Sequence, residues 1–152
     1  MKKIMSLLNR KGFLAIALAL ALGTGSAVAD MVAVVSANNP VTTLSKNQVM
    51  AIFLGATTRF PDGRRAVPID QREGSAARNA FYLKFAGKSP AQIKAHWSKI
   101  IFTGRGQPPR EVANSAEVKQ YLAQHPEAIG YIDHTQVDDS VKVVPLPNQP
   151  ID

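Results

Sequence analysis

Between residues 31 and 144, short apolar runs alternate with stretches whose apolar residues recur every three or four positions, a pattern of strands separated by helices. The run MVAVVS, Met31–Ser36, predicts a buried strand feeding a turn at Ala37-Asn38-Asn39-Pro40. Ser45 with Gln48 three residues later spells a capping box; Val49, Ile52 and Phe53 share one helical face, and Gly55 stops the helix. After a basic turn from Arg59 to Arg65, residues 66–69 predict a second strand. Pro68 has no backbone N–H to give a ladder, which puts it near a sheet edge or a strand end.

From Ser75 the period becomes helical again. Ala77, Ala80, Phe81 and Phe85 fall on one face, and Gly87 terminates. Ser89, Pro90 and Gln92 open another helix, with serine as cap and proline at the first helical position; Ile93, Trp97, Ile100 and Ile101 form its expected buried stripe. TGRGQPP, residues 103–109, reads as a loop. Ser115 is the expected cap of a last helix with Val118, Tyr121 and Leu122 on one side, and Pro126 breaks it. Residues 128–132 and 141–144 predict two closing strands. Strands separated by helices favour an α/β fold with helices on both faces of a mostly parallel sheet, a three-layer arrangement.

The first 29 residues stand apart from this pattern. Lys2, Lys3, Arg10 and Lys11 form a basic start, residues 13–22 are unbroken apolar, and Ala27-Val28-Ala29 fits a small-residue cleavage site before Asp30. The apolar run is too short to span a bilayer. The expectation is a cleaved export signal over residues 1–29, one domain over 30–146 and a loose tail over 147–152. Setting aside the four basic residues of the signal reduces 18 Lys and Arg to 14, against 11 Asp and Glu, so the net charge falls from +7 to +3. That removes the case for nucleic acid as a partner. With no cysteine, disulfides, a lipid anchor on cysteine and thiolate metal sites are excluded. An exported, unanchored protein follows, most simply in a bacterial periplasm.

Candidate chemistry concentrates in DQREGSAARNAF, residues 70–81, at a strand-to-helix junction. In open α/β sheets ligands lie beyond the carboxyl ends of strands, against the next helix start. Gly74 lets the backbone approach closely, and Ser75 caps and can also donate. The N–H groups of Ser75, Ala76 and Ala77 collect where a helix leaves donors unpaired. Arg78 and Arg72 supply charge, and Gln71 can donate from the side. A carboxylate at Glu73 competes for the same donors, and a capped helix with solvated arginines is the plainer reading. A second anion candidate is the glycine-rich loop carrying Arg105.

Other signals exclude more than they offer. His96, His125 and His134 lack metal-ligand spacing, and Asp138-Asp139 lacks the alternation of a calcium loop. Gly87-Lys88-Ser89 is not a phosphate loop, because Tyr82 stands where the first glycine is needed. No serine occupies a nucleophile elbow. No enzyme, cofactor or metal is expected.

Three stretches carry a resemblance. Ile52-Phe53-Leu54-Gly55 precedes a basic-aromatic turn, Arg72-Glu73-Gly74-Ser75 opens a helix, and Ala128-Ile129-Gly130-Tyr131-Ile132 lies near the end. In that order they resemble the phosphate-type substrate-binding proteins of ABC transporters, within the type 2 periplasmic-binding fold. The resemblance implies phosphate or a related oxyanion as ligand and a transporter permease as partner. In that family an Arg-x-Asp-Gly-Ser-Gly-Thr segment grips phosphate. Here Gln71 falls at the place of its arginine, Glu73 at its aspartate, and Ala76-Ala77 at its Gly-Thr. The match begins where the family's second lobe begins, so the resemblance implies a single lobe and half a site. The alternative is a ligand-free interaction module that docks on a membrane sensor or forms a homodimer.

Overall fold

The computed structural model describes residues 29–147; the expected export signal and tail lie outside them, apart from Ala29 and Pro147. In chain order the elements are β1 (Met31–Ser36), α1 (Lys46–Phe53), β2 (Val67–Gln71), α2 (Ala76–Ala86), α3 (Pro90–Phe102), β3 (Arg110–Val112), α4 (Ser115–Gln124), β4 (Ala128–Asp133) and β5 (Val141–Val143). One five-stranded sheet runs β3-β2-β4-β1-β5. β2 is parallel to β3 and β4, whereas β1 is antiparallel to both of its neighbours, β4 and β5. Four strands therefore point one way and β1 the other, and the sheet is mostly parallel.

Alternation along the strands builds two cores. Met31, Ala33 and Val35 of β1 and Ile129 and Tyr131 of β4 face a large cluster with Phe53 of α1, Phe81, Tyr82 and Phe85 of α2, and Trp97 of α3. Val34, Ala128 and Ile132 face the other way, onto Val118 and Leu122 of α4. Helices thus cover both faces, in three layers. This period-two segregation explains why β1 and β4 read as continuous apolar runs: both faces are buried. The apolar cores exclude water, the main favourable contribution to folding.

The local stops and starts follow the chemistry of their residues. Ser45 with Gln48 and Ser89 with Gln92 both form complete capping boxes, and Pro90 occupies the first turn of α3. Gly87 ends α2 in the left-handed conformation, φ 62°, that glycine adopts without strain. Pro68 sits at the start of β2, before the pairing with β3 begins at Ile69, so no β3 partner loses a donor there.

Four expectations differ from the structure. β2 runs on through Asp70 and Gln71, polar residues that are 1% and 2% exposed and hydrogen-bonded. Arg110–Val112, for which no element was expected, is a strand; it is short and mostly exposed, so its ladder with β2 and not its composition makes it one. The cap of α4 is Asn114, whose side chain accepts from the Glu117 N–H, with Ser115 as first helical residue. Ile101, expected in the buried stripe of α3, is 55% exposed, because it lines an open cleft between α2 and α3.

Candidate functional site: the turn between β2 and α2

β2 delivers the chain at Gln71 into a turn across Arg72, Glu73, Gly74 and Ser75. The Arg72 N–H donates to the Val112 carbonyl of β3 at 3.0 Å, and the Ser75 N–H donates back to the Arg72 carbonyl at 3.1 Å. Gly74 bends between them at φ 83°. Any side chain there would be strained, although a Cβ would meet open space. Ser75 caps α2, its hydroxyl oxygen accepting from the Arg78 N–H at 3.2 Å. Among the described residues the N–H groups of Ala76 and Ala77 have no partner, and the first turn holds no acidic side chain. Two helix-start donors and the positive end of the helix dipole are left for a ligand.

The competing carboxylate does not take them. Glu73 lies 3.6 Å from the Lys94 ammonium, and its own N–H donates to Glu111 Oε2 at 3.4 Å. Arg72 is exposed and its guanidinium has no partner among the described residues. Arg78 is different: 8% exposed overall, it puts Nε 3.3 Å from Asp70 Oδ2 and Nη1 3.3 Å from Glu111 Oε1. Its guanidinium carbon stands 5.7 Å above the Tyr82 ring. Gln71 points to the other face of the sheet, where Nε2 donates to the Tyr131 carbonyl at 2.9 Å and reaches Ser115 Oγ at 3.5 Å. Arg105 is exposed beyond α3 with its N–H bonded to the Ile100 carbonyl.

Behind the turn lies a buried polar cluster that the sequence pattern concealed. Asp70 Oδ2 accepts the Tyr82 hydroxyl at 2.7 Å, Oδ1 accepts the Tyr131 hydroxyl, and the Gln71 N–H donates to Oδ1 at 2.8 Å. Burial raises the Asp70 carboxyl above its ordinary value, opposed by the two phenols and by Arg78. Burial also opposes the Arg78 charge, but Asp70 and Glu111 hold its pKa up. Burial and the adjacent Asp70 push both phenols far up, so each remains a donor. Asp70 is in the junction segment itself. Tyr82 and Tyr131 were masked by apolar neighbours, and Glu111 by its place in an exposed segment; no sequence signal joins residues 60 positions apart.

A cleft of about 220 Å³ opens between α2 and α3 beside this turn. Gly74 and Arg78 line it, as does Pro108 of the 103–109 loop, so that loop folds next to the turn; Arg105 does not reach the cleft lining.

No protein-family model matches the chain, and no curated protein is similar to it. Solved structures are. A phosphate ABC transporter substrate-binding protein from Clostridium perfringens, crystallised with bound phosphate, superposes with a TM-score of 0.59 at 26% identity, over 76% of this chain and 44% of that one. The chain is similar to phosphate ABC transporter substrate-binding proteins. An ABC-type phosphate transport receptor from Vibrio cholerae matches with a TM-score of 0.61 at 20% identity, over 78% of this chain and 46% of that one. A third, PstS from Borrelia burgdorferi, matches at 0.56 and 14% identity, over 80% and 49%. The chain spans less than half the length of each, and its architecture is that of a single lobe of their periplasmic-binding fold.

Proposed function

We propose that the chain is an exported oxyanion-binding protein that holds phosphate at the start of α2 and serves a phosphate ABC transporter as its binding component or an accessory. The observation that carries this reading is the pair of unpartnered N–H groups at Ala76 and Ala77, in a chain whose fold matches a protein crystallised with phosphate. In this reading the Ser75 hydroxyl, which accepts from Arg78 N–H, donates its own proton to the anion. Arg72, without a partner among the described residues, closes over it, and Arg105 adds charge from the neighbouring loop. Arg78 acts from behind: its charge is matched by Asp70 and Glu111, so its role is to position the turn and not to neutralise the ligand. Gln71 lends rigidity from the sheet.

The anion is bound and released without chemistry. Residues 1–29 direct export and are removed, leaving a single domain over residues 30–146 in the periplasm with residues 147–152 as a tail; the permease of the transporter is the partner. Because one lobe leaves the site open to water, binding is weaker than in a closed two-lobed site. Thermal unfolding with added phosphate tests this. A ligand specific to the folded state stabilises it by mass action, by about 2.7 kcal/mol at a hundred times its Kd, and so raises the melting temperature. No shift at millimolar phosphate removes the reading.

One observation favours a second reading, a ligand-free interaction module. Leu83, Ile101 and Phe102 are 65%, 55% and 93% exposed, which suits contact with a protein partner or another copy. A stable dimer in sedimentation, together with indifference to phosphate, selects it.

A further inference from the structure

At the end of the sheet opposite the α2 start, three loops meet. The turn after β1, the hairpin that precedes β2 and the turn that leads into β4 together line a second cleft, of about 350 Å³. Buried Phe60, Pro40 and Pro126 contribute to it, together with the exposed Arg64 and Arg65.

The hairpin holds a feature that its own stability does not explain. Arg59 and Arg65 face each other in an antiparallel bridge, flanked by hydrogen bonds from the Phe60 N–H to the Arg64 carbonyl at 2.8 Å and from the Ala66 N–H to the Thr58 carbonyl at 2.9 Å. Residues opposite each other between two such bonds bring their side chains closest, and like charges there are destabilising. No carboxylate among the described residues pairs with either. Arg59 Nη1 donates to the Gly63 carbonyl at 2.8 Å, and the Arg65 guanidinium has no partner among the described residues. Asp62 is taken by Arg64, and Glu127 lies 3.7 Å from His125 Nδ1. Lys142 adds a further cation, its ammonium on the carbonyl of Asn39, which lines the cleft.

The chemistry of the patch selects among anionic partners. The cations of the hairpin are all arginines, whose planar forks suit carboxylate or phosphate oxygens. A small anion on so exposed a pair stays in water, where screening leaves little attraction. A bilayer gains little more: the one large apolar side chain of the hairpin, Phe60, is 3% exposed, and cations without an apolar anchor hold a membrane weakly. A protein surface that covers the pair removes water from it and strengthens each contact.

We propose that the hairpin of Arg59 and Arg65 is a docking surface for a carboxylate-rich segment of a partner protein, at the end of the sheet opposite the proposed phosphate site. The like-charged pair is retained for binding at a cost in stability. This surface does not depend on the anion site.

Fluorescence anisotropy at low ionic strength tests it, with a labelled peptide of alternating Glu and Gly and its Gln-Gly counterpart. Vesicles of equal parts phosphatidylcholine and phosphatidylglycerol, sedimented with the protein, form the second arm. The Glu peptide is expected to bind, and the Gln peptide and the vesicles are not. Arg65→Glu should weaken peptide binding at least tenfold and raise the melting temperature, because the new carboxylate faces Arg59. Lys94→Ala, which removes an exposed cation beside Glu73 at the other end of the sheet, should change binding less than twofold. Equal losses from the two variants overturn the surface, as does a Glu peptide that fails to bind. Vesicle binding that Arg65→Glu abolishes assigns the surface to lipid and overturns the protein partner. A melting temperature lowered by Arg65→Glu overturns the stability cost of the pair, and with it the reason to assign the pair to binding.

Discussion

Arg78 Nε lies 3.3 Å from Asp70 Oδ2, and the pair is sealed between α2 and the sheet. The arginine one turn into the helix is thereby tied to the strand that precedes it, while Arg72, six residues earlier, stays in water. Two arginines that look equivalent in the sequence should thus behave oppositely. Arg78→Ala leaves Asp70 buried without its cation and is expected to cost about 2–4 kcal/mol in urea denaturation. Arg72→Ala should leave stability within about 0.5 kcal/mol and weaken phosphate binding roughly three- to tenfold, about 1 kcal/mol. A stability loss from Arg72→Ala comparable to that from Arg78→Ala would contradict the assignment.

The amide of Ala76 can be deleted without harming the helix, because proline is favoured at the first helical position and Ser75 before it is already extended, at φ −69° and ψ 145°. Ala76→Pro is expected to keep the melting temperature and to lower phosphate affinity about 5- to 30-fold, the loss of one hydrogen bond to a charged group. Calorimetric titration of both proteins reads this directly. Unchanged affinity would remove the helix start from the site.

Gly130 in β4 has no room for a side chain. A Cβ there would stand 2.6 Å from Val118 Cγ1 on α4, itself fully buried. Gly130→Ala should cost about 1–3 kcal/mol by overpacking, and adding Val118→Ala should recover part of the loss in a double-mutant cycle. Additive losses would show that β4 and α4 do not meet at this point.

Asp70 gives stability an unusual dependence on pH. Its folded pKa is raised above 3.8, mainly by burial, so the folded protein retains a proton that the unfolded chain releases. Its contribution is complete below pH 3.8 and is lost as pH rises through the folded value. Asp138 works the other way. Held at about 2 by Lys119 and Ser140, it contributes above 3.8 and loses that contribution as pH falls toward 2. The stability of the native sequence relative to Asp70→Asn should therefore shrink as pH rises from about 4 to 7. A difference that stays flat or grows over that range would mean that the buried carboxyl titrates normally or low.

How much of this could be read in advance depends on the range of the interactions involved. Met31–Ser36, the Ser45 and Ser89 capping boxes and the Gly87 stop rest on contacts within a few residues, and each was legible. The junction at Ser75 was legible too, since a glycine, a cap and clustered arginines are neighbours in the chain. The strand at Arg110–Val112 was not, because its hydrogen bonds come from Ile69, Asp70 and Gln71, some forty residues earlier.

The sequence alone determined where α1, α2 and α3 begin, the two-faced burial of β1 and β4, and the supply of free amides at one turn, because backbone geometry and local capping chemistry govern all three. Only the tertiary structure decided which arginine is free and which is neutralised. That choice is made by Asp70, Glu111, Tyr82 and Tyr131, brought together from β2, β3, α2 and β4. In a buried setting the partner's position sets the cost or gain of a charge, and position is what a one-dimensional pattern does not carry.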